Sequence, residues 1–305
     1  MLYNLKEVFT LKKTIFTGSA VAIVTPMNND GSVNYTKLKE LIDFQIKNST
    51  DAIIICGTTG ESSALNHEEH CKVIQTCIDH TAKRIPVIAG TASNDTAYAV
   101  ELSVEAEKMG ADGLLMVTPY YNKTSQLGLI RHYNYIADRV NVPIILYNVP
   151  SRTGVNILPE TYVELAKHQN IAAIKEANGN IAALAHTVAL CGDNIDIYSG
   201  NDDQIVPFMS LGAKGVISVF ANILPKESHD IAQACLDGNF RLGAKLQTKY
   251  IKLMNALFSD VNPIPVKTAM NLMGLDVGPC RMPLTNMTEA LENKLKDTMK
   301  EYGLI

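Results

Sequence analysis

The feature that most limits the fold of this chain is a rhythm of short apolar runs, which recur about every thirty residues. Eight such runs stand at residues 20–24, 52–56, 87–90, 113–117, 143–147, 171–175, 195–198 and 215–219. Patterns with apolar residues three and four positions apart lie between them, for example at 35–47, 66–82, 96–109 and 127–140. This alternation predicts βα units that build a parallel sheet covered by helices.

Eight such units in unbroken succession favour closure into a (β/α)8 TIM barrel of the α/β class. A doubly wound open sheet is the alternative. The strand signal stops near residue 222, so we divide the chain into an N-terminal arm (1–14), the barrel (15–222) and a C-terminal helical region (223–305).

Three local signals refine this outline. Asn66 followed by Glu69 predicts a capping box at the start of the second helix. Asn286, with Glu289 three residues later, predicts the cap of the last helix. The stretch Asn262-Pro263-Ile264-Pro265 predicts a stiff extended link between two C-terminal helices.

Composition narrows the function classes. The chain of 305 residues has a formal net charge of −4 and 47 % hydrophobic residues, without a polybasic patch or a window long and apolar enough for a membrane span. The N-terminal residues lack the pattern of a secretory leader. The six cysteines are scattered without a CxxC pair, which argues against a disulfide scaffold or a zinc ribbon. We therefore expect a cytoplasmic protein whose partners include neither nucleic acid nor membrane.

Lys175 ends the buried run 171–175, where water is not available to carry its charge. Burial disfavours an ammonium, so the lysine becomes a neutral amine that can condense with a ketone. Strand alternation places Ile171, Ala173 and Lys175 on one face and Glu176 on the other. The alternative is a lysine just past the strand that extends to solvent or pairs with Glu176.

Other side chains at predicted strand ends fit the same chemistry, because barrel active sites lie at the carboxyl ends of the strands. Tyr147 falls on the neighbouring strand at the level of Lys175 and can exchange protons with the amine. Arg152 can bind a carboxylate with its two-pronged guanidinium, and Thr58 and Thr59 can donate to one. Taken singly, each also fits a structural role: a packed tyrosine, a surface arginine, a glycine-rich turn.

Other chemistries have less support. No glycine-rich stretch has the spacing of a P-loop or opens a helix as a dinucleotide-binding motif does. His67 and His70 are three apart at a helix start, but no third metal ligand is placed nearby. Cys56 has no evident histidine partner, which argues against a cysteine nucleophile. We expect neither a metal nor a cofactor.

From Phe16 onward the sequence resembles the dihydrodipicolinate synthase family, within the N-acetylneuraminate lyase superfamily of Schiff-base aldolases. The motifs that carry the resemblance are GTTGES from Gly57, TPYYN from Thr118, YNVPSRTG from Tyr147, IKEANG from Ile174, GVIS from Gly215 and NPIPVK from Asn262. The paired threonines and YNVPSRTG favour the synthase over other members. The resemblance implies a lyase of lysine and diaminopimelate biosynthesis that condenses pyruvate with L-aspartate-4-semialdehyde.

The resemblance also implies a role for each matching residue. Lys175 forms the imine with pyruvate, Tyr147 shuttles protons, and Thr58 links Tyr147 to Tyr121 in a proton relay. The binding residues are Thr59 for the pyruvate carboxylate, Arg152 for the semialdehyde carboxylate, Gly200 in the pocket wall and the Ile217 carbonyl beside the enamine. In the family the second tyrosine of the relay enters the site of the adjoining subunit, which implies a dimer, usually paired into a homotetramer.

One position departs from the pattern of family members that lysine inhibits. They bind lysine through residues matching Ser62, Ser63, His67, His70, Asn94, Tyr120 and a glutamate whose position here is Tyr98. Without that acidic partner for the lysine ammonium, we predict weak or absent inhibition.

Two alternative functions stay open at this point. One is a retro-aldol lyase of the same superfamily that cleaves N-acetylneuraminate or a 2-keto-3-deoxy sugar acid through the same imine. The other is a barrel that binds a small oxo acid without turning it over.

Overall fold

The computed structural model describes residues 12–305, and its centre is a closed barrel of parallel strands. The strands are β1 (Gly18–Ala22), β2 (Ala52–Ile55), β3 (Val87–Gly90), β4 (Gly113–Val117), β5 (Ile144–Asn148), β6 (Ile171–Glu176), β7 (Asp196–Ser199) and β8 (Gly215–Ser218). Each strand pairs with its neighbours in sequence, and β8 pairs with β1. The predicted TIM barrel is confirmed, and the doubly wound sheet is excluded.

Helices cover the barrel and extend beyond its last strand. They are α1 (Tyr35–Lys47), α2 (His67–Thr81), α3 (Thr96–Met109), α4 (Gln126–Ala137), α5 (Pro150–Thr153), α6 (Pro159–Leu165), α7 (Ile181–Cys191), α8 (Ile205–Ser210), α9 (Pro225–Leu236), α10 (Phe240–Ala256), α11 (Ile264–Leu272) and α12 (Glu289–Glu301). The predicted capping box is confirmed, because Asn66 Oδ1 accepts from Glu69 N at 2.9 Å and Glu69 Oε2 accepts from Asn66 N at 3.2 Å.

Two apolar layers hold these elements together. The barrel interior contains side chains such as Ile54, Ile145, Ala173 and Ile217, and the alternate strand residues pack outward against the helices. Ile171 was predicted to share a face with Ala173, but it packs in the outer layer. The reason is an irregularity between β5 and β6, where the pairing shifts after Ile144.

Helix α9 closes the circle of helices where β8 meets β1. Ser228 Oγ lies 2.6 Å from Ser19 Oγ, and His229 Nδ1 lies 2.8 Å from Asp51 Oδ2. The predicted boundary between residues 222 and 223 falls just before this helix and stays a prediction.

Two local predictions in the C-terminal region are wrong. The proline-rich stretch is not an extended link, since α11 begins at Ile264 and carries Pro265 in its first turn, where a missing N–H breaks no helical hydrogen bond. The cap of α12 is Thr288 and not Asn286, because the helix begins at Glu289 and the capping residue must directly precede it.

The predicted N-terminal arm, residues 1–14, lies for the most part outside the described residues, which begin at Lys12. The Lys12 ammonium donates to the carbonyl oxygens of Ala166 and Ile171, at 2.5 and 2.6 Å. In residues 12–305, no helix has both the length and the apolar character that crossing a membrane requires.

Candidate active site

The carboxyl ends of β5 and β6 bring together the amine and the phenol predicted from the sequence. Tyr147 and Lys175 are register partners, so their side chains leave the sheet at one level. Lys175 Nζ lies 4.2 Å from the centroid of the Tyr147 ring. Glu176 is directed elsewhere, towards Asn148 and Tyr162, and the alternative pairing of Lys175 with Glu176 does not form.

The lysine is buried, with 5 % of its surface exposed. Burial lowers its pKa from the usual 10.5 to about 7, while the Asp202 carboxylate acts to raise the pKa and the Arg152 guanidinium to lower it. Near neutral pH, Lys175 is therefore a neutral amine in a large fraction of the protein molecules, and the neutral amine is the form that can attack a carbonyl carbon.

Thr58 connects the phenol to the loop after β2. Its hydroxyl hydrogen bonds with Tyr147. Burial raises the pKa of the Tyr147 phenol above its ordinary value, and the Arg152 charge and this hydrogen bond offset only part of that rise. Thr59, the next residue, is buried and accepts from Asn262 Nδ2 at 3.0 Å. The two threonines thus hold different positions, one against the phenol and one against the C-terminal region.

The remaining predicted binding residues surround the same end of the barrel. Arg152 is exposed on α5. Ile217 is fully buried in the barrel interior, together with Tyr147. Gly200 follows β7, and a Cβ there would stand 2.7 Å from the Ala177 Cβ and 3.0 Å from the Glu176 carbonyl oxygen, so only glycine fits.

A cavity of about 390 Å³ opens beside this group, with Thr58, Tyr147 and Arg152 in its wall. It continues outward to five of the seven residues matching the lysine-binding positions, which are Ser62, Ser63, His70, Tyr98 and Tyr120. Asn94 instead belongs to a neighbouring surface hollow. His67 is turned towards α3, where its Nδ1 lies 3.4 Å from the Tyr98 hydroxyl.

Tyr121 is the predicted residue that the single chain does not bring to the site. It is 91 % exposed and has a left-handed backbone, with φ of 67°. The predicted proton relay runs from Tyr147 through Thr58 to Tyr121. One chain forms the contact between Thr58 and Tyr147, but its Tyr121 faces outward.

Sequence reasoning missed three supporting groups. Asp202 is a buried carboxylate whose Oδ2 accepts from the backbone of Val219 and Phe220. Asn262 holds Thr59. A buried ion pair of 2.8 Å joins Lys267 in α11 to Glu61 in the loop after β2. The sequence signals for these groups were Asp202 after β7, to which no role was assigned, and the polar residues Asn262 and Lys267 at the two ends of NPIPVK. Sequence alone does not identify the residues that they contact.

Comparison with known proteins agrees with this geometry. Residues 15–302 match the Dihydrodipicolinate synthetase family. The chain is 57 % identical over 292 residues to the 4-hydroxy-tetrahydrodipicolinate synthase of Lachnoclostridium phytofermentans, covering 95 % of this chain and 99 % of that protein. It is 55 % identical over 295 residues to the enzyme of that name from Acetivibrio thermocellus, covering 97 % and 100 %. The crystal structure of dihydrodipicolinate synthase from Aquifex aeolicus superposes with a TM-score of 0.93 at 46 % identity, covering 95 % and 99 %.

Proposed function

The chain belongs to the dihydrodipicolinate synthetase family, and on that premise we propose that it acts as a 4-hydroxy-tetrahydrodipicolinate synthase. It is a lyase of lysine and diaminopimelate biosynthesis that condenses pyruvate with L-aspartate-4-semialdehyde through a Schiff base. The observation that carries the proposal is the buried amine of Lys175, with a pKa of about 7, beside the Tyr147 ring.

The chemistry follows from these two groups. The Lys175 amine attacks the keto carbon of pyruvate, Tyr147 returns a proton to the carbinolamine oxygen, and water leaves to give the imine. The electron-withdrawing imine acidifies the pyruvate methyl group, which loses a proton to give an enamine. The enamine carbon adds to the aldehyde of the second substrate. The amino group of that substrate then attacks the imine carbon, closes the ring and releases Lys175.

The binding roles follow from charge and position. We propose that Thr59, held by Asn262, donates its hydroxyl to the pyruvate carboxylate. Arg152, exposed in the cavity wall, receives the carboxylate of the semialdehyde. Gly200, where a Cβ would collide with Ala177 and Glu176, shapes the pocket wall, and the Ile217 carbonyl faces the enamine. Thr58 passes protons between Tyr147 and Tyr121.

The assembly and the location are part of the same proposal. We propose a homotetramer built from two dimers, in which Tyr121 reaches the site of the adjoining subunit, and its 91 % exposure in the single chain supports that arrangement. We also propose a cytoplasmic location, where both substrates are metabolic intermediates.

The test is turnover of the two substrates, followed as NADPH consumption through added dihydrodipicolinate reductase. We expect rapid consumption with the parent protein and none with Lys175→Ala. Borohydride added with pyruvate should attach one pyruvate-derived group to Lys175, detected by peptide mass spectrometry. Silence with a competent reductase, together with release of pyruvate from N-acetylneuraminate or a 2-keto-3-deoxy sugar acid, would assign the chain to the retro-aldol lyases instead.

A further inference from the structure

We propose that His67, Cys71 and Glu105 form a binding site for one zinc ion between helices α2 and α3. His67 and Cys71 are four residues apart, so they share one face of α2. Glu105 lies on the adjacent helix α3 and is directed at both. The expectation of no metal considered His67 with His70, but His70 is turned inward, with Nε2 2.8 Å from the Gly90 carbonyl oxygen.

Two of the three separations between the ligand atoms are close to those of a tetrahedral zinc site, and the third is shorter. His67 Nε2 lies 3.3 Å from Glu105 Oε2, Cys71 Sγ lies 3.0 Å from the same oxygen, and Cys71 Sγ lies 3.8 Å from His67 Nε2. The usual zinc bond lengths require about 3.4 Å between nitrogen and oxygen and about 3.6 Å between sulfur and either of them. The two separations that involve His67 are within about 0.2 Å of these values, whereas the Cys71 sulfur and the Glu105 oxygen must move apart by about 0.6 Å for one ion to reach bonding distance from all three residues.

The donor set selects the metal. A thiolate and an imidazole suit zinc, whereas calcium and magnesium take oxygen ligands. Cys71 Sγ donates its hydrogen to Glu105, and the ion would replace that hydrogen. All three residues are only partly buried, so water can complete the fourth position.

The surroundings favour a cation and hold the imidazole in place. Within residues 12–305, Glu105 forms no ion pair with a lysine or an arginine, and Glu101 one turn earlier on α3 adds negative charge near Cys71. The Tyr98 hydroxyl lies 3.4 Å from His67 Nδ1. That contact occupies one ring nitrogen and leaves Nε2 for the metal, as the outer partners of metal-bound histidines do.

Cobalt(II), which takes the same tetrahedral ligands and is coloured, tests the site. The untagged protein, reduced and freed of metal by a chelator, is titrated with cobalt(II) chloride. We expect one equivalent per chain to produce the near-ultraviolet charge-transfer band of a cobalt–thiolate bond, and zinc chloride to abolish it. Cys71→Ser should lose the band. The matched control Cys280→Ser, which removes another partly buried cysteine, should keep it.

Zinc affinity, measured by competition with a coloured chelator, gives a second readout that does not depend on catalysis. Glu105→Gln and His67→Gln should each weaken zinc binding at least tenfold, and circular dichroism shows that the variants are folded. Absence of the cobalt–thiolate band in the parent protein, or its persistence in Cys71→Ser, would overturn the proposal. Neither outcome bears on turnover of pyruvate, so the proposed function is tested separately.

Discussion

Lys175 provides the most direct test at the scale of single residues, because its protonation state controls the first chemical step. With a pKa of about 7, the rate of imine formation with pyruvate should rise about tenfold per pH unit below pH 7 and level off above it. The rate is measured by quenching into borohydride at set times and determining intact mass. Lys175→Ala should show no trapping, and an inflection near 10 would contradict a depressed pKa.

The same burial has a cost in stability. The pKa of Lys175 falls from 10.5 in the unfolded chain to about 7 in the fold, so the fold disfavours the charged form of this side chain at neutral pH and below. The unfolded chain binds more protons between these values, and stability therefore rises with pH across that window. Lys175→Met should raise the free energy of unfolding below pH 7 by at most about 5 kcal/mol. Calorimetry at pH 6.5 and 9.5 should show the gain shrinking at the higher pH, and a gain independent of pH would exclude this cause.

Tyr98 decides the prediction about lysine inhibition. It lines the cavity at the position where lysine-inhibited relatives carry a glutamate, and a phenol offers no charge to an ammonium. Tyr98→Glu should lower the inhibition constant for lysine at least tenfold, since hydrogen bonds to charged groups are worth about 1.5–3 kcal/mol. Tyr98→Gln is the uncharged control and should give no gain. Sub-millimolar inhibition of the parent protein would show that another group replaces the glutamate.

At the scale of elements, α11 supports the loop after β2 through a buried ion pair. Lys267 and Glu61, each 2 % exposed, lie 2.8 Å apart, and Lys267 also donates to the carbonyls of Thr25 and Pro279. The pair fixes the loop that presents Thr58 and Thr59. Helices placed after the barrel in sequence are thus part of the framework of the site.

Lys267→Met should destabilise the protein by about 3–5 kcal/mol, because it leaves the Glu61 carboxylate buried without its partner. Denaturant unfolding measures the loss. Lys252→Met is the matched control, since the exposed Lys252–Glu301 pair is worth at most about 1 kcal/mol. Adding Glu61→Gln to Lys267→Met should recover part of the stability. Equal losses for both lysines would show that burial of the pair is unimportant.

These elements also show how far the sequence could be interpreted. Strand and helix positions follow from local periodicity, and Lys175 and Tyr147 follow from alternation along neighbouring strands. The contact from Asn262 to Thr59 spans 203 residues, and a motif such as NPIPVK does not name its distant partner. Pro265 shows a second limit of sequence interpretation. A proline can end a helix or occupy its first turn, and local sequence did not distinguish these two cases. His67 could not be linked to Glu105 without the packing of α2 on α3.

At the scale of the whole molecule, Tyr121 indicates that one chain does not contain the complete proposed machinery. A large aromatic side chain that is 91 % exposed, next to a loop that carries part of the site, suits a position inside a partner. A symmetric dimer would exchange two such side chains, one into each site. Every site would then contain Lys175 and Tyr147 from one chain and Tyr121 from the other.

This arrangement predicts that two inactive variants restore activity when mixed. A dimer of Lys175→Ala with Tyr121→Phe contains one site with its own Lys175 and the intact Tyr121 of the other chain. Random mixing in equal amounts should recover about a quarter of the parent activity, because half of the dimers are mixed and one of their two sites is complete. The control pairs Lys175→Ala with Tyr147→Phe and should recover nothing, since both side chains must come from the same chain. Native mass spectrometry shows whether subunits have exchanged. If exchange occurs and activity returns in neither mixture, or only in the control, Tyr121 does not act in the partner's site.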